Sequence, residues 1–188
     1  MLRTNLIAKI STVPNGNIIG RIGGNLPKFF LDKLDDIRGY KFFLTVQNPD
    51  DDLEYITILT PDGYDDMVDN NIYPACSVRV FSHAFSEESN NDACTIKYIN
   101  KTNIIGYEKV DSNEFNFITK TKSPSLIQDE NYYYEALLKD GYDFFMQIDE
   151  DYYPDGVVNG DYIFGYGALY LYENISTKNI IAGFWQFS

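Results

Sequence analysis

The sequence predicts an α+β domain that is β-rich, with a mainly antiparallel sheet, a few short helices and two similar repeats. Hydrophobic residues make up 44% of the 188 residues, which is enough for the core of one domain over residues 1–188. Aromatic residues reach 16%, and the 16 Tyr and 13 Phe favour half-buried, pleated surfaces. One segment recurs 102 positions further on, which predicts repeats over residues 1–100 and 101–188.

The recurring segment is an apolar strand that opens on a glycine. Gly39–Val46 reads GYKFFLTV, and Gly141–Ile148 reads GYDFFMQI. Each copy follows a proline-bearing segment, Leu26-Pro27 in the first and Ser123-Pro124 in the second, and precedes an acidic loop and further strands. Chance similarity between two apolar strands is the alternative. The pattern predicts a duplicated α+β unit whose two copies share one sheet or pack together.

Most of the chain consists of short β-prone runs separated by turn residues. The predicted strands are Leu6–Ile10, Gly39–Val46, Tyr55–Thr60, Val78–Phe81, Thr95–Ile99, Phe115–Thr119, Tyr142–Ile148, Tyr162–Phe164, Ala168–Tyr172 and Ile180–Phe187. Val13–Gly16 predicts a turn after the first strand, and the second and third strands read as a hairpin. Helical spacing of apolar residues predicts short helices at Phe29–Ile37 and Tyr132–Leu138.

The charge balance limits the classes of partner. Fifteen basic residues against 28 acidic ones give a formal net charge of -13. Such a surface repels phosphate backbones and anionic lipid headgroups, so we expect neither nucleic-acid nor membrane binding. A basic protein would be attracted, and its encounter accelerated at low salt. Solubility alone is the alternative explanation of the charge.

Cysteine usage and hydropathy predict the compartment. Cys76 and Cys94 lie 18 positions apart with no wider cysteine framework, so we expect two reduced, partly buried thiols. Met1–Ile10 holds no long apolar stretch, and no later run reaches membrane-spanning length. The cytoplasm is the expected location.

No cofactor or metal motif is complete. The glycine-rich stretch Gly20–Gly24 lacks the spacing of a phosphate-binding loop, so it reads as a turn or bulge where two backbones approach closely. His83 is the only histidine, and close Cys or His pairs typical of zinc sites are absent. Asp149–Gly160 faintly resembles a calcium loop, but Tyr153 and Gly160 occupy ligand positions, so a solvated loop is predicted.

A catalytic set is equally hard to assemble. His83 is the only candidate base for a hydrolytic triad, and we expect it to be a structural or surface residue. Carboxylates are plentiful, yet their spacing selects no pair. The sequence therefore predicts no catalytic, cofactor-binding or metal-binding residues. An enzyme that uses carboxylates alone remains a third alternative.

Tyrosines adjacent to acidic residues are the candidates for partner binding. Tyrosine buries a large area at low entropic cost and is enriched at interfaces, although half or more of these tyrosines should serve the core. The predicted partner-binding residues are Asp149, Asp151, Tyr152, Tyr153, Asp155, Asp161, Tyr162 and Tyr166.

Four segments together resemble a known family. They are Ile22–Pro27 (IGGNLP), Phe144–Asp149 (FFMQID), Phe164–Tyr172 (FGYGALYLY) and Phe184–Phe187 (FWQF). In this order they are similar to the YwqG-like family of uncharacterised bacterial proteins (the DUF1963 domain), which has an early Gly-Gly-x-Pro, a Gln-Ile strand, a glycine turn before a strand, and a terminal Trp-Gln. Tyr166 replaces the usual Asp of the glycine turn, Ala168 replaces the next Gly, and Lys122-Ser123-Pro124 replaces a second Gly-Gly-x-Pro.

The resemblance implies a duplicated α+β fold and no established enzyme activity. Relatives occur beside polymorphic toxin genes, which implies immunity proteins. Combined with the charge, it predicts a non-enzymatic, acidic binding protein that neutralises a cognate bacterial toxin or effector domain of basic charge. The alternative is a small-molecule or peptide-binding domain with its ligand between the repeats.

Overall fold

The computed structural model describes residues 4–11, 13, 17–111 and 114–188. Within them, ten strands form one antiparallel sheet. The strands are β1 (Thr4–Ser11), β2 (Gly20–Ile22), β3 (Tyr40–Asn48), β4 (Asp51–Pro61), β5 (Arg79–Ala84), β6 (Thr102–Asp111), β7 (Ile118–Lys120), β8 (Tyr142–Asp149), β9 (Ala168–Asn174) and β10 (Ile180–Gln186). The predicted β-rich, mainly antiparallel sheet is confirmed. The turn predicted at Val13–Gly16 falls mostly outside the described residues.

The strand order has an internal regularity. Across the sheet it runs β10-β9-β8-β7-β1-β6-β2-β3-β4-β5. If each of β1–β5 is exchanged with the strand five places later in the chain (β1 with β6, β2 with β7, and so on), the order is unchanged when it is read from the opposite edge of the sheet. Strand β1 lies between β6 and β7, and β6 lies between β1 and β2. These two central strands therefore have both of their neighbours in the opposite half of the chain. The register also shifts at Phe42/Leu44 in the β3–β4 pair and at Phe144/Met146 in the β8–β9 pair, again 102 positions apart.

Alternation along the strands divides the core between the two faces of the sheet. One buried cluster draws on both halves of the chain and includes Leu44, Ile58, Ile148 and Trp185. Two further clusters lie on the opposite face. The first is Leu26, Phe30, Ile37, Phe42 and Leu59. The second is Tyr133, Leu137, Ala168, Tyr170, Tyr172 and Phe184. Each of these two clusters is covered by the short segment that precedes β3 or β8.

Helices contribute little to the described chain. The α-helices are α1 (Tyr64–Asp69) and α2 (Glu135–Lys139), and 3-10 turns occupy Lys28–Phe30, Asn131–Tyr133 and Glu150–Tyr152. The helix predicted at Phe29–Ile37 is wrong: a single 3-10 turn gives way to consecutive turns. Its period fails because Leu31 and Leu34 are exposed while Phe30 and Ile37 are buried. The helix predicted at Tyr132–Leu138 is present as a 3-10 turn followed by α2.

Two predicted strands are also absent. In Thr95–Ile99 only the two end residues form isolated β-bridges, with a turn between them, and Ile96 and Ile99 are buried three positions apart, a spacing that does not alternate. Tyr162–Phe164 lies in a loop where the adjacent residues Ile163 and Phe164 are both buried. Strand β6 was missed because most of its side chains are polar or only partly buried.

The sheet curls so that its outer strands β5 and β10 approach each other. The segment after α1 covers the free edge of β10: the Tyr73 N–H donates to Gly183 O at 2.7 Å, and the Trp185 N–H donates to Asn71 O at 3.0 Å. An uncovered edge strand would offer unpaired backbone groups to other chains. Among the described residues, none of the helices has the length and apolar character needed to cross a membrane.

Candidate functional site

A cleft of about 660 Å³ opens where the two halves of the chain meet. Its walls are the end of β4 with the start of α1, the turns at residues 95–98, and the loop at residues 161–166. Four tyrosines line it: Tyr64, Tyr98, Tyr162 and Tyr166. The buried apolar side chains Met67, Ile96 and Ile163 also line it. The cleft therefore combines a mainly aromatic wall with a small polar set, which is typical of ligand-binding sites.

The aromatic wall is anchored in the core by a row of rings. Phe117, which is fully buried, stacks on Tyr153 at 4.5 Å between centroids. Tyr153 lies 5.4 Å from Tyr162, and Tyr162 lies 4.2 Å from Tyr166 at the surface. Aromatic pairs at these separations stabilise each other beyond their buried area. The row holds Tyr162 and Tyr166 in place beside the cleft.

Buried Glu150 fixes the loop that carries these two tyrosines. Its carboxylate accepts a hydrogen bond from the Phe164 N–H at 2.9 Å, and its own N–H donates to Gly167 O at 2.9 Å. The Tyr153 hydroxyl donates to the same carboxylate at 3.4 Å. Burial raises the pKa of Glu150 from 4.5 to about 8, against the opposing effect of the backbone N–H groups. The solvated loop predicted at Asp149–Gly160 is therefore wrong at its first two residues.

Tyr166 presents its ring from a strained backbone. Its φ is +60°, next to Gly165 at +62°, and its side chain is 59% exposed. The left-handed region costs a residue with a Cβ roughly 1–2 kcal/mol, and outliers of this kind cluster at functional sites. Glycine would remove the strain, so the tyrosine is retained at a cost to stability.

We expect Tyr166→Gly to be more stable than Tyr166→Ala by about 1 kcal/mol, because both variants lose the ring but only alanine keeps the strain. Urea unfolding of the two variants measures this difference. The matched control is Tyr132, which is exposed, lies outside the cleft and is not among the described residues of positive φ. There the alanine variant should be the more stable one, and the same order at Tyr166 would refute the strain.

The sequence-predicted partner residues fall into three groups. Asp161, Tyr162 and Tyr166 line the cleft, and Tyr153 stands directly behind Tyr162. Asp151, Tyr152 and Asp155 are exposed on the neighbouring segment but do not line the cleft.

Asp149 is instead buried and engaged within the fold. Its carboxylate accepts from the Asp151 N–H and from Gln147 Nε2, each at 3.1 Å, and burial raises its pKa. It ends β8 and caps the 3-10 turn at Glu150–Tyr152. The expectation that Asp149 belongs to a solvated surface is therefore wrong.

The sequence prediction missed the part of the cleft that comes from residues 1–100. Tyr64 and Tyr98 are 47% and 40% exposed. Tyr64 directly precedes two aspartates, the same combination of residues that marked the second wall, whereas Tyr98 has no acidic neighbour in the sequence. They meet Tyr162 and Tyr166 only through folding of residues far apart in the chain. A local cluster of Tyr and Asp was therefore a usable signal for Tyr64 as well, and only Tyr98 carries no such signal.

Of the charged side chains that line the cleft, some form ion pairs with each other and others do not. Lys41 lies 3.6 Å from the Asp62 carboxylate and also donates to Ala93 O at 3.1 Å. Lys97 is exposed at the rim. Asp161 is exposed and forms no ion pair with any residue that the structure describes. It is the lining carboxylate that is left to pair with a bound cation.

Another groove, of about 700 Å³, lies on the outer face of the second half, beside Lys120, Lys122, Tyr134 and Tyr172. Lys120 pairs with Asp50, and its ammonium lies 4.4 Å from the Phe145 ring centroid. Two lysines and one carboxylate, Asp143, make this groove less suited to a basic partner than the cleft.

The histidine and the two cysteines lie outside the cleft. His83 is buried, its Nδ1–H donates to Ala84 O at 2.6 Å, and Nε2 lies 2.7 Å from the Thr57 hydroxyl, so it is structural as predicted. Cys76 and Cys94 are free and partly buried, also as predicted, and burial raises the pKa of Cys76 to about 12. Over the described part of the chain, no group of three His, Cys, Asp or Glu side chains is placed to hold a metal ion.

The glycine-rich stretch is only partly as predicted: Gly20–Ile22 is strand β2 rather than a turn or bulge, but the predicted close approach of two backbones is present. A Cβ on Gly20 would lie 2.4 Å from Thr45 O, so β2 and β3 approach each other there as predicted. Comparison of the chain with protein-family models, with curated proteins and with solved structures found no match.

Proposed function

We propose that this chain is a non-enzymatic binding protein of the cytoplasm, an immunity protein that neutralises a cognate bacterial toxin of basic charge. The observation that carries the proposal is the cleft, which is lined by four tyrosines from both halves of the chain and by Asp161, a carboxylate with no ion pair among the described residues. The formal charge of -13 supports a basic partner, since complementary charge steers encounter and suppresses wrong partners.

Tyrosines of this kind suit a protein interface. Tyr64, Tyr98 and Tyr166 are between 40% and 59% exposed, although large aromatic groups are usually more buried. At interfaces, tyrosine anchors that fill pockets carry much of the binding energy. Tyr166 keeps its ring at the surface despite backbone strain, which supports a role in binding rather than in folding.

The test is rescue of cells by co-expression with the product of the neighbouring gene. We expect the intact chain to restore growth and to form a complex with that product that weakens as salt rises, because the attraction between charged surfaces is screened. Tyr64→Ala combined with Tyr166→Ala should weaken the complex by about 2 kcal/mol or more and abolish rescue.

Tyr132→Ala is the control for this experiment, because Tyr132 is 57% exposed and does not line the cleft. It should rescue growth like the parent chain. Equal rescue by the double variant would place the partner surface elsewhere. A chain that forms no complex and protects no cells would overturn the proposal.

A small-molecule or peptide-binding domain is the second candidate, and the volume of the cleft favours it. Ligand pockets usually measure roughly 300–1,000 Å³, and this cleft falls within that range. A ligand retained through purification, detected by native mass spectrometry and lost in the double tyrosine variant, would support this candidate over the first.

We further propose that the chain is a duplicated α+β unit and a member of the YwqG-like family. The invariant strand order and the paired register shifts 102 positions apart support duplication. The glycines that open the repeated strands, Gly39 and Gly141, have φ values of +82° and +79°. The family assignment is supported by the four sequence segments given above.

A further inference from the structure

We propose that the cleft receives the side chain of an arginine from the protein partner, with its guanidinium group between the tyrosine rings and the Asp161 carboxylate. This inference rests on the proposed function and names the chemical group that the site recognises. It follows from three features of the cleft: the tyrosine rings, the apolar floor and the Asp161 carboxylate, which forms no ion pair within the described part of the chain.

The tyrosine rings provide an aromatic surface for a planar cation. Tyr64 and Tyr98 come from one half of the chain and Tyr162 and Tyr166 from the other, so both halves contribute rings to the lining of the cleft. Arginine stacks on aromatic faces through cation–π attraction and through its flat shape. Lysine offers a more strongly hydrated point charge, which gains less from such a wall.

The floor suits the aliphatic part of the same side chain. Met67, Ile96 and Ile163 are buried and face the cleft. Arginine buries its methylene groups against apolar surface while its charged end remains hydrated or paired. A compact inorganic cation would leave this apolar surface exposed to water.

The carboxylate of Asp161 supplies the charge partner. Asp62 is already engaged by Lys41 at 3.6 Å, whereas Asp161 forms no ion pair among the described residues. A guanidinium can donate two parallel hydrogen bonds to one carboxylate, which gives both affinity and orientation. The cleft itself is lined by two lysines and two aspartates, so it is the charge of -13 on the whole chain that disfavours an anionic ligand.

Capped glycine–serine peptides with one central residue test the inference directly. The central residue is arginine, its uncharged isostere citrulline, or lysine. Trp185 is the only tryptophan of the chain, and its ring lies 6.0 Å from that of Tyr64, so its fluorescence reports on binding in the cleft. Amide chemical shifts of residues 161–166 give an independent readout. We expect the arginine peptide to bind roughly tenfold more tightly than the citrulline peptide, and more tightly than the lysine peptide.

Two variants locate the effect. Asp161→Asn should remove most of the preference for arginine over citrulline, and Tyr166→Ala should weaken binding of the arginine peptide by roughly tenfold. Asp161 is exposed, so its replacement tests the site without disturbing the core. Asp155→Asn removes one charge from an exposed position outside the cleft and should leave the preference intact.

Equal binding of the arginine and citrulline peptides, or no binding of any peptide at the cleft, would overturn the inference. Neither result touches the proposed neutralisation of a toxin, which the rescue experiment decides separately. Conversely, a clear preference for arginine without any rescue would uphold the cleft chemistry and overturn the immunity function.

Discussion

Gly167→Ala is expected to destabilise the protein by more than about 3 kcal/mol, a large fraction of the stability of a domain of this size. A Cβ at this position would lie 1.8 Å from Gln186 O and 2.6 Å from Phe164 O, and both atoms belong to the backbone. Neither atom can move without disturbing β10 or the loop that carries Tyr166. Urea unfolding followed by Trp185 fluorescence measures the loss.

Gly63→Ala is the matched control for this glycine. Its Cβ would meet only the Asp66 side chain, at 3.4 Å, and its φ of -116° is accessible to alanine. We expect a loss of no more than about 1 kcal/mol there, since the residue caps a short helix. If Gly167→Ala cost as little as Gly63→Ala, β10 would be free to shift, and the packing of the cleft loop would be looser than described.

Replacement of Glu150 by glutamine is expected to change how stability depends on pH. In the folded protein the pKa of Glu150 is about 8, against 4.5 for an ordinary glutamate. Between these values the folded state holds a proton that the unfolded state has released. The free energy of unfolding therefore falls with rising pH, by about 1.4 kcal/mol per pH unit from this group. The stabilising contribution of the protonated Glu150 side chain is fully present below pH 4.5 and is lost as the pH rises through 8.

Glutamine keeps the contacts without the charge. Its side-chain oxygen can accept from the Phe164 N–H, and its amide can donate to the Tyr153 hydroxyl. We expect Glu150→Gln to match the parent near pH 4.5 and to exceed its stability by as much as about 5 kcal/mol above pH 8. Urea unfolding at a series of pH values gives the difference curve. Asp155→Asn controls for loss of one negative charge, and a flat difference curve for Glu150→Gln would contradict the raised pKa of the buried carboxylate.

Strands in which buried and exposed residues alternate were predicted correctly from the sequence. The prediction failed for segments whose apolar residues are buried by contacts of loops and turns. Strands β3, β4, β8, β9 and β10 lie within one or two residues of their expected bounds, except that β4 begins four residues early. These strands have one face in the shared core and strong β propensity. Thr95–Ile99 and Tyr162–Phe164 are also rich in β-prone residues. In the first segment the apolar residues are buried by a turn, and in the second by a loop that Glu150 holds in place. Composition alone does not separate these cases.

The candidate site was predictable only in part, because it joins two distant segments. Asp161, Tyr162 and Tyr166 stood out as neighbouring Tyr and Asp residues. Tyr64 precedes two aspartates and could have been nominated on the same ground, whereas Tyr98 has no acidic neighbour and joins the site only through the contact between the two halves. Asp149 and Glu150 looked like a hydrated acidic run, but the end of β8 buries both. The alternation of apolar and polar residues along a strand does not predict which acidic residues just beyond its end are buried.

The placement of β1 also determines when the chain can fold during synthesis. Ser11 is aligned with Asn103, 92 positions later, and Leu6 with Lys120, so β1 has no partner strand until synthesis has advanced at least that far. Its pairing partners arrive late, and such long-range contacts make folding slow. The halves are interlocked: β1 completes the sheet of the later half and β6 that of the earlier one. Neither half can complete its part of the sheet alone, so we expect the cleft between them to form only when both halves have folded together.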